Sequence, residues 1–476
     1  MNPGVAGLCP AGNRLDLVVG FNFLDGAIDQ GFLLPPDMRE WLDPGHLAFF
    51  IVDAVDQFDL SGFEAKYRFD GRGGAAYAPE VMVRLLLFAY CEGVRSSRQI
   101  ERRCVRDVAY RVLAGNRRPD HATIARFRDQ HRQGLRAVFV QVLRLCAEAG
   151  LVRVGLLALD GTKLQADASS FQNYDADRLE KVIGELEEQV QQMLAEAARQ
   201  DAAEDAAEQD RSDSGGPPEL RNPTQRLAKL KAAKQRLDAE AAEAQRIQEQ
   251  RRAEWETAPG RKGAPPAVKP PKRGARNGKI NLTDPDSRIM HTRDGFKQAF
   301  NGQAVVTSDQ VIVAVDVAPE NTDFDAFHPM LDAARANLDA AGVTDPMRAV
   351  VADAGYSNKP NRTQDRPAGS NPILLMAVPR LGGKKPAEGQ VRKIWPGRGN
   401  DPSRARMIKR LSSPAGSRLY ARRKTMVEPV FGQIKQLGGP RMRHRGRDKV
   451  NTEWTMMAAA HNLLKCWRHM SREPAC

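Results

Sequence analysis

The sequence predicts an α/β fold with an all-α N-terminal domain ahead of its strands and a helical insertion after the first strand. Three observations lead there. Apolar side chains recur at helical spacing between residues 79 and 133. Short apolar runs rich in branched residues at 152–159, 302–307, 311–317, 348–352 and 372–378 have the length and composition of buried strands. Between the first two runs lie leucine-rich stripes at heptad spacing.

The first predicted helix, Pro79–Cys91, has Pro in its first turn and stops at Gly93. Ser96 and Ser97 suit the cap of a second, reaching about Ala114 and closed by Gly115. Asp120 caps a third over 121–133, which carries Arg126, Arg128 and Arg132. Three short helices with tight junctions are compatible with a helix-turn-helix, and equally with a helical bundle whose arginines are solvated. The first strand, 152–159, ends on Asp160-Gly161-Thr162.

Leu179, Ile183, Leu186, Val190, Met193 and Ala197 then form one stripe, and Leu227, Leu230, Leu237, Ala244 and Ile247 a second. The Pro/Gly-rich segment 212–223 separates them, so an antiparallel coiled hairpin is expected, followed by a basic linker over 259–279. Strands resume as a hairpin turning at Ser308-Asp309-Gln310, followed by a helix over 325–341 and a strand at 348–352 that ends on Asp353. Helices over 418–436 and 453–470 close the chain. The organisation is therefore 1–150 helical, 151–170 first core strand, 171–278 insertion and linker, and 279–476 remainder of the core.

Charge narrows the function. The 476 residues are 41% hydrophobic and 28% charged, which excludes a wholly disordered chain, and the net charge is +13. The last 97 residues carry 23 Lys/Arg against 6 Asp/Glu, whereas 175–219 holds 14 acids against 4 bases. A basic C-terminal region points to a polyanion, nucleic acid before membrane. Six cysteines without a CxxC pair argue against a disulfide scaffold or zinc ribbon and fit a reducing cytosol. No apolar run approaches the ~20 residues of a membrane span, and a soluble, cytoplasmic protein is expected.

Asp160 and Asp353 each end a strand run, and Glu428 is a lone acid among six bases between Arg410 and Lys435. Singly, each is ordinary as a turn residue or a surface ion-pair partner. Together they matter more, because carboxylates gathered at a sheet edge repel unless a divalent cation such as Mg²⁺ neutralises them, and paired ions about 4 Å apart serve in-line phosphoryl chemistry. No HxxxH or Cys/His cluster supports a histidine-based metal hydrolase.

These residues carry a resemblance. Asp160-Gly161-Thr162-Lys163, Val351-Ala352-Asp353-Ala354-Gly355-Tyr356, and the run from Val427-Glu428-Pro429 to Lys435 resemble the three catalytic blocks of bacterial insertion-sequence DDE transposases. The segment Asn281-Leu282-Thr283-Asp284-Pro285, the closing Glu453-Trp454 with His461-Asn462, and the helical stretch 69–131 resemble one branch of that family with its end-binding domain in front. The resemblance implies an RNase H-like core, Asp160, Asp353 and Glu428 as catalytic residues and ligands of two Mg²⁺ ions (Mn²⁺ being a possible substitute), cleavage at the element's ends, and joining of the freed 3′-hydroxyl to target DNA. Of the family's Tyr-Arg-Glu-Lys signature, Tyr420 matches, Arg423 lies one residue early with Lys424 in its place, and Glu428 and Lys435 keep the spacing of seven, on one helical face.

The expected partner is double-stranded DNA, and because two element ends must be held together, a homodimer is the expected state. Lys163, Tyr420, Arg423, Lys424, Lys435 and the run Arg441, Arg443, Arg445, Arg447 are candidates for phosphate contacts, and His121, Thr123, Arg126 and Arg128 for base or backbone contacts. The rival readings are an RNase H-like nuclease without strand transfer and a catalytically silent DNA-binding protein.

Overall fold

The apolar spacing of 79–91 is realised as a helix in the computed structural model, which describes residues 37–67, 76–205, 218–257, 264–268, 278–292, 294–318, 322–363, 372–378, 401–439 and 441–471. The N-terminal region comprises α1 (Leu47–Asp56), α2 (Ser61–Glu64), α3 (Pro79–Cys91), α4 (Ser97–Arg106), α5 (Val108–Leu113), α6 (His121–Gln130) and α7 (Arg132–Glu148). Helix α3 is buried on almost every side from Met82 to Cys91, as befits the centre of a helical cluster. The helix expected to run to Ala114 is broken at Asp107, whose extended backbone and side chain, accepting from the Ala109 N–H at 3.0 Å, start α5 afresh. Asp120 caps α6 as predicted, accepting from the Ala122 and Thr123 N–H groups at 2.9 Å.

Gly93 ends α3 with φ +74°, and a Cβ there would lie 1.4 Å from the Leu437 carbonyl oxygen. The left-handed backbone and the close approach both demand glycine. Gly93→Ala is expected to cost more than about 2 kcal/mol, read from urea unfolding.

The remaining elements are β1 (Leu156–Gln165), β2 (Asn173–Asp175), α8 (Ala176–Asp205), α9 (Pro218–Thr257), β3 (Lys279–Asn281), β4 (Arg288–Thr292), β5 (Gly295–Thr307), β6 (Ile312–Ala318), α10 (Phe327–Ala340), β7 (Ala349–Ala352), α11 (Lys359–Thr363), β8 (Ile373–Met376), α12 (Pro402–Ser412), α13 (Pro414–Ala421), α14 (Arg423–Gly438) and α15 (Arg447–Met470). The main sheet is mixed, in the order β4-β5-β1-β7-β8, with β6 also paired to β5. Strand β1 runs antiparallel to β5 from Leu157↔Thr307 to Gln165↔Ala299, and parallel to β7 from Leu156↔Ala349 to Leu159↔Ala352.

Alternation along β1 divides the core. Leu156 and Ala158 pack with the N-terminal helices, α14 and α15, while Leu157 and Leu159 pack with α10 on the other face. The helical region and the sheet thus share one continuous core. Helix α15 begins at Arg447, six residues earlier than expected, and is buried almost throughout from Val450 to Leu464. It is tied to the sheet through polar groups: Trp454 Nε1 donates to the Gln303 carbonyl at 3.0 Å, and Asn462 pairs with both the N–H and the C=O of Ile312 at 2.9 and 2.7 Å. His461 Nε2 meets the Gln310 carbonyl at 3.0 Å, and burial lowers its pKa to about 4.

Helices α8 and α9 pair through Leu179, Ile183, Leu186, Leu230, Ala233 and Leu237, flanked by Lys231–Glu187 (2.7 Å) and Lys234–Glu180 (3.1 Å) ion pairs. Burial fades beyond Leu186, with Leu194 52% exposed, so the predicted stripe is packed only near the base. Helix α9 starts at Pro218 and includes Pro223, which moves the break away from 218–223; residues 206–217 and most of the basic linker lie outside the described residues. No helix among the described residues is long and apolar enough to cross a membrane.

Candidate active site

Asp160 does not end its strand as expected, because β5 keeps pairing with β1 for five residues beyond it. What ends there is the parallel ladder: its last pair is Leu159↔Ala352, so Asp160 and Asp353 are the next residues on adjacent strands. Asp353 folds back to accept from the Gly355 N–H at 2.7 Å, starting a 3-10 turn at 354–356. Asp160 Oδ1 accepts from the Gly161 N–H at 2.9 Å, and Oδ2 pairs with the Arg423 guanidinium at the start of α14. Arg423 and Asp160 have side chains only 14% and 15% exposed.

A third carboxylate joins them that the sequence reading missed. Asp323 Oδ1 accepts from Asn301 Nδ2 at 2.8 Å and Gln303 Nε2 at 2.9 Å, both projecting from β5. Asn301 in turn accepts from Lys163 Nζ at 2.9 Å, and the Tyr356 hydroxyl donates to Gln303 Oε1. The available signal was a pair of amides, Asn301 and Gln303, at alternate positions of a run that is otherwise buried and largely apolar.

Burial raises the Asp160 pKa to about 6; Arg423 opposes the rise, while Asp353 and Asp323 add to it. Asp353 is also raised, by burial first and by Asp323 among its charged neighbours. Burial and the three aspartates push the Tyr356 hydroxyl well above its ordinary value. The sign for stability follows: between pH 4 and 6 the folded state holds a proton on Asp160 that the unfolded state has released, so stability falls as pH rises through that window and is flat above it. Asp160→Asn removes the charge but keeps the shape, and is expected to raise unfolding stability at pH 7.5 by about 2 kcal/mol, with a flatter pH dependence between 4 and 6 in denaturant titrations.

Glu428 lies on α14, exposed to solvent, and contributes to the field that holds Arg423 charged, after Asp160, Tyr420 and Asp353. Tyr420, on the preceding helix, is partly buried and hydrogen-bonded to Arg423. A single helix over 418–436 was expected; α13 and α14 divide at Arg422, directly before Arg423.

A family model described as a transposase domain (DUF772) matches residues 36–130, and one described as a transposase DDE domain matches residues 389–467. No curated protein and no solved structure matches the chain. The two matches are consistent with an insertion-sequence DDE transposase. The DDE match covers Arg423, Glu428 and Lys435 and excludes Asp160 and Asp353, which the sheet brings to Arg423.

Within the segment that the DDE model matches, Lys424 is exposed and Lys435 half-buried on α14. The arginine run is partly tied down: Arg441 and Arg445 converge on Asp167 at 2.6 and 3.0 Å, and Arg447 Nε donates to the Val317 carbonyl at 2.8 Å. Arg443 is exposed. Within the N-terminal segment matched by the first model, His121 Nδ1 lies 2.8 Å from a Glu101 oxygen, the Thr123 hydroxyl donates to Asp120 at 2.7 Å, and Arg126 is exposed. Arg128 is a correction. It is 8% exposed, donates to the Arg95 carbonyl at 2.7 Å and to the Ser97 hydroxyl, and is a structural tie rather than a surface for DNA.

Carboxylate oxygens are the donor set a hard divalent cation prefers, and clustered aspartates with raised pKa are short of positive charge. Asp160, Asp353 and Asp323 fit such an ion by chemistry, although among the described residues no group of three or more His, Cys, Asp or Glu side chains converges closely enough to hold one. Arg423 supplies positive charge beside Asp160 in this arrangement.

Proposed function

We propose that the chain is a DDE transposase with an RNase H-like core, cleaving DNA at the ends of an insertion sequence and joining the freed 3′-hydroxyl to target DNA. One observation carries the reading: Asp160 and Asp353 sit side by side where their parallel ladder ends, facing an arginine of the matched DDE domain. In α/β sheets, reactive groups collect at that edge.

Asp160, Asp353 and Glu428 would hold the divalent metal, Mg²⁺ by preference, as a pair of ions. Bound there, the metal would supply Lewis acidity for the attacking and leaving oxygens of phosphoryl transfer. The chain's own residues do the positioning. Arg423, with Tyr420 alongside, and Lys163, which donates to Asn301, offer donors to a phosphate brought against the aspartates. Lys424, Lys435, Arg441, Arg443 and Arg445 extend positive charge from that point, giving salt-sensitive grip without sequence choice. Residues 1–150 read the element's ends through His121, Thr123 and Arg126, and the hairpin within 171–278 divides the core between its first strand and residues 279–476. Two protomers hold two ends, so the working unit is a homodimer at the bacterial nucleoid.

The test is excision in cells of a marker flanked by the DNA that borders this gene. Wild-type protein is expected to yield a marker-free junction. Tight binding of those flanks without excision or end cleavage would overturn transposition and leave a silent DNA-binding protein; cleavage without joining would leave a nuclease.

A further inference from the structure

Helix α4 is divided sharply between its two sides. Ser97, Ile100 and Cys104 are buried, whereas Arg98, Gln99, Arg102, Val105 and Arg106 are exposed. Arg98, Arg102 and Arg106 follow one another at intervals of four and so form a single stripe of like charge, a spacing at which they repel. The neighbouring carboxylates are engaged elsewhere: Arg103 holds Glu92 at 2.7 Å and Asp107 at 3.3 Å, and His121 lies 2.8 Å from Glu101. Among the described residues no carboxylate pairs with Arg98, Arg102 or Arg106. Arg102, Arg103 and Arg106 also line an open cleft of about 320 Å³. Val105 stands 47% exposed on the same side, an apolar side chain that packing does not account for. Helix α6, tied to α4 through Arg128 and Ser97, shows solvent a plainer surface of Ala122, Ala125, Arg126 and Gln130.

We infer that α4 is the helix this chain lays in the major groove of double-stranded DNA, with Arg98, Arg102 and Arg106 on phosphates and Gln99 and Val105 on base edges. The inference rests on the DNA-binding reading proposed above and extends its N-terminal contacts from α6 to α4, which carries more of the exposed charge. Ten residues make α4 about 15 Å long, and a helix about 10–12 Å across with its side chains fits a groove about 12 Å wide. A polyanion supplies the negative charge that the arginine stripe lacks, and a guanidinium offers paired donors to phosphate oxygens. The Gln99 amide carries the donor and acceptor that match an adenine edge, and the Val105 methyls suit the methyl group of thymine. One face thus combines charge for affinity with two groups able to read sequence.

The experiment is fluorescence anisotropy of the full-length protein with two labelled duplexes of equal length, one from the DNA bordering this gene and one unrelated, over a range of salt concentrations. The variant combining Arg98→Gln, Arg102→Gln and Arg106→Gln changes only exposed side chains, so its fold is expected to survive, checked by circular dichroism and melting. It is expected to bind both duplexes about 100-fold more weakly and to flatten the salt dependence by about one unit of slope per arginine. Gln99→Ala and Val105→Ser are each expected to weaken the border duplex about tenfold and leave the unrelated one unchanged. If the triple variant binds like wild type with the same salt slope, α4 is not the DNA helix, and the DNA-binding reading stands on the wild-type affinity. If Gln99→Ala and Val105→Ser keep the wild-type preference for the border duplex, or the wild type shows no preference, insertion in the groove is overturned. If the wild type binds neither duplex, the DNA-binding reading falls and α4 with it.

Discussion

Asp353→Asn is expected to abolish cleavage of element-end DNA, lowering the single-turnover rate by about 10³-fold or more, while the same DNA is bound as tightly as by wild type. The size follows from the several kcal/mol that a carboxylate-held metal contributes to phosphoryl transfer, each 1.4 kcal/mol being a factor of ten. Asn preserves the bond that Asp353 accepts from the Gly355 N–H, so the 3-10 turn is retained and the loss is chemical. Asp160→Asn should lose cleavage equally while gaining stability, because an Asp held near pKa 6 is strained when ionised. Lost rate alongside raised stability is the signature of a functional acid; loss of both would mean the aspartates are structural. Glu428→Gln is expected to lose cleavage with little change in stability, since its side chain is exposed.

Glu453→Ala is expected to lower unfolding stability by about 3–5 kcal/mol, the cost of leaving a buried charge without its partner. Arg95 Nη1 and Glu453 Oε1 are 2.8 Å apart, with side chains 2% and 0% exposed. The pair is embedded in a network: Glu453 also accepts from the Arg443 and His444 N–H groups at 2.9 and 3.2 Å, and Arg95 donates to the Arg441 carbonyl at 2.8 Å. Arg95 lies in the N-terminal transposase match and Glu453 in the DDE match, so the network fastens one to the other. The Glu453 carboxyl is held below its ordinary value of 4.5, with His444 and Arg95 outweighing burial, so this stabilisation is present above pH 4.5 and is lost as pH falls below it. Replacing both partners with apolar residues should cost less than either single change, and guanidinium denaturation of the four proteins measures the coupling.

Much of the local structure was legible. Asp120 before a helical run, Pro79 in a first turn and Gly93 at a helix end act through their own backbones, and each is found in that role. The branched runs became β1, β6, β7 and β8 because such residues gain by packing on both faces of a sheet. Contacts across long sequence separations were not legible. Arg128 and Arg126 look alike in the chain, yet one is buried against Arg95 and Ser97 and the other is exposed. Nothing local in the chain marks Asp323; β5 brings Asn301 and Gln303 to it across about twenty residues.

The sequence by itself determined the runs that become β1, β6, β7 and β8, the caps at Pro79 and Asp120, where the basic charge collects, and which two aspartates follow apolar runs, because periodicity, capping and composition act over a few neighbouring residues. Only the tertiary structure decided that Asp160 and Asp353 are neighbours, that Arg423 rather than Lys424 faces Asp160, and that Asp323 fills the space beside Gly355. Strand register and burial set those outcomes, and both depend on partners that can lie hundreds of residues away.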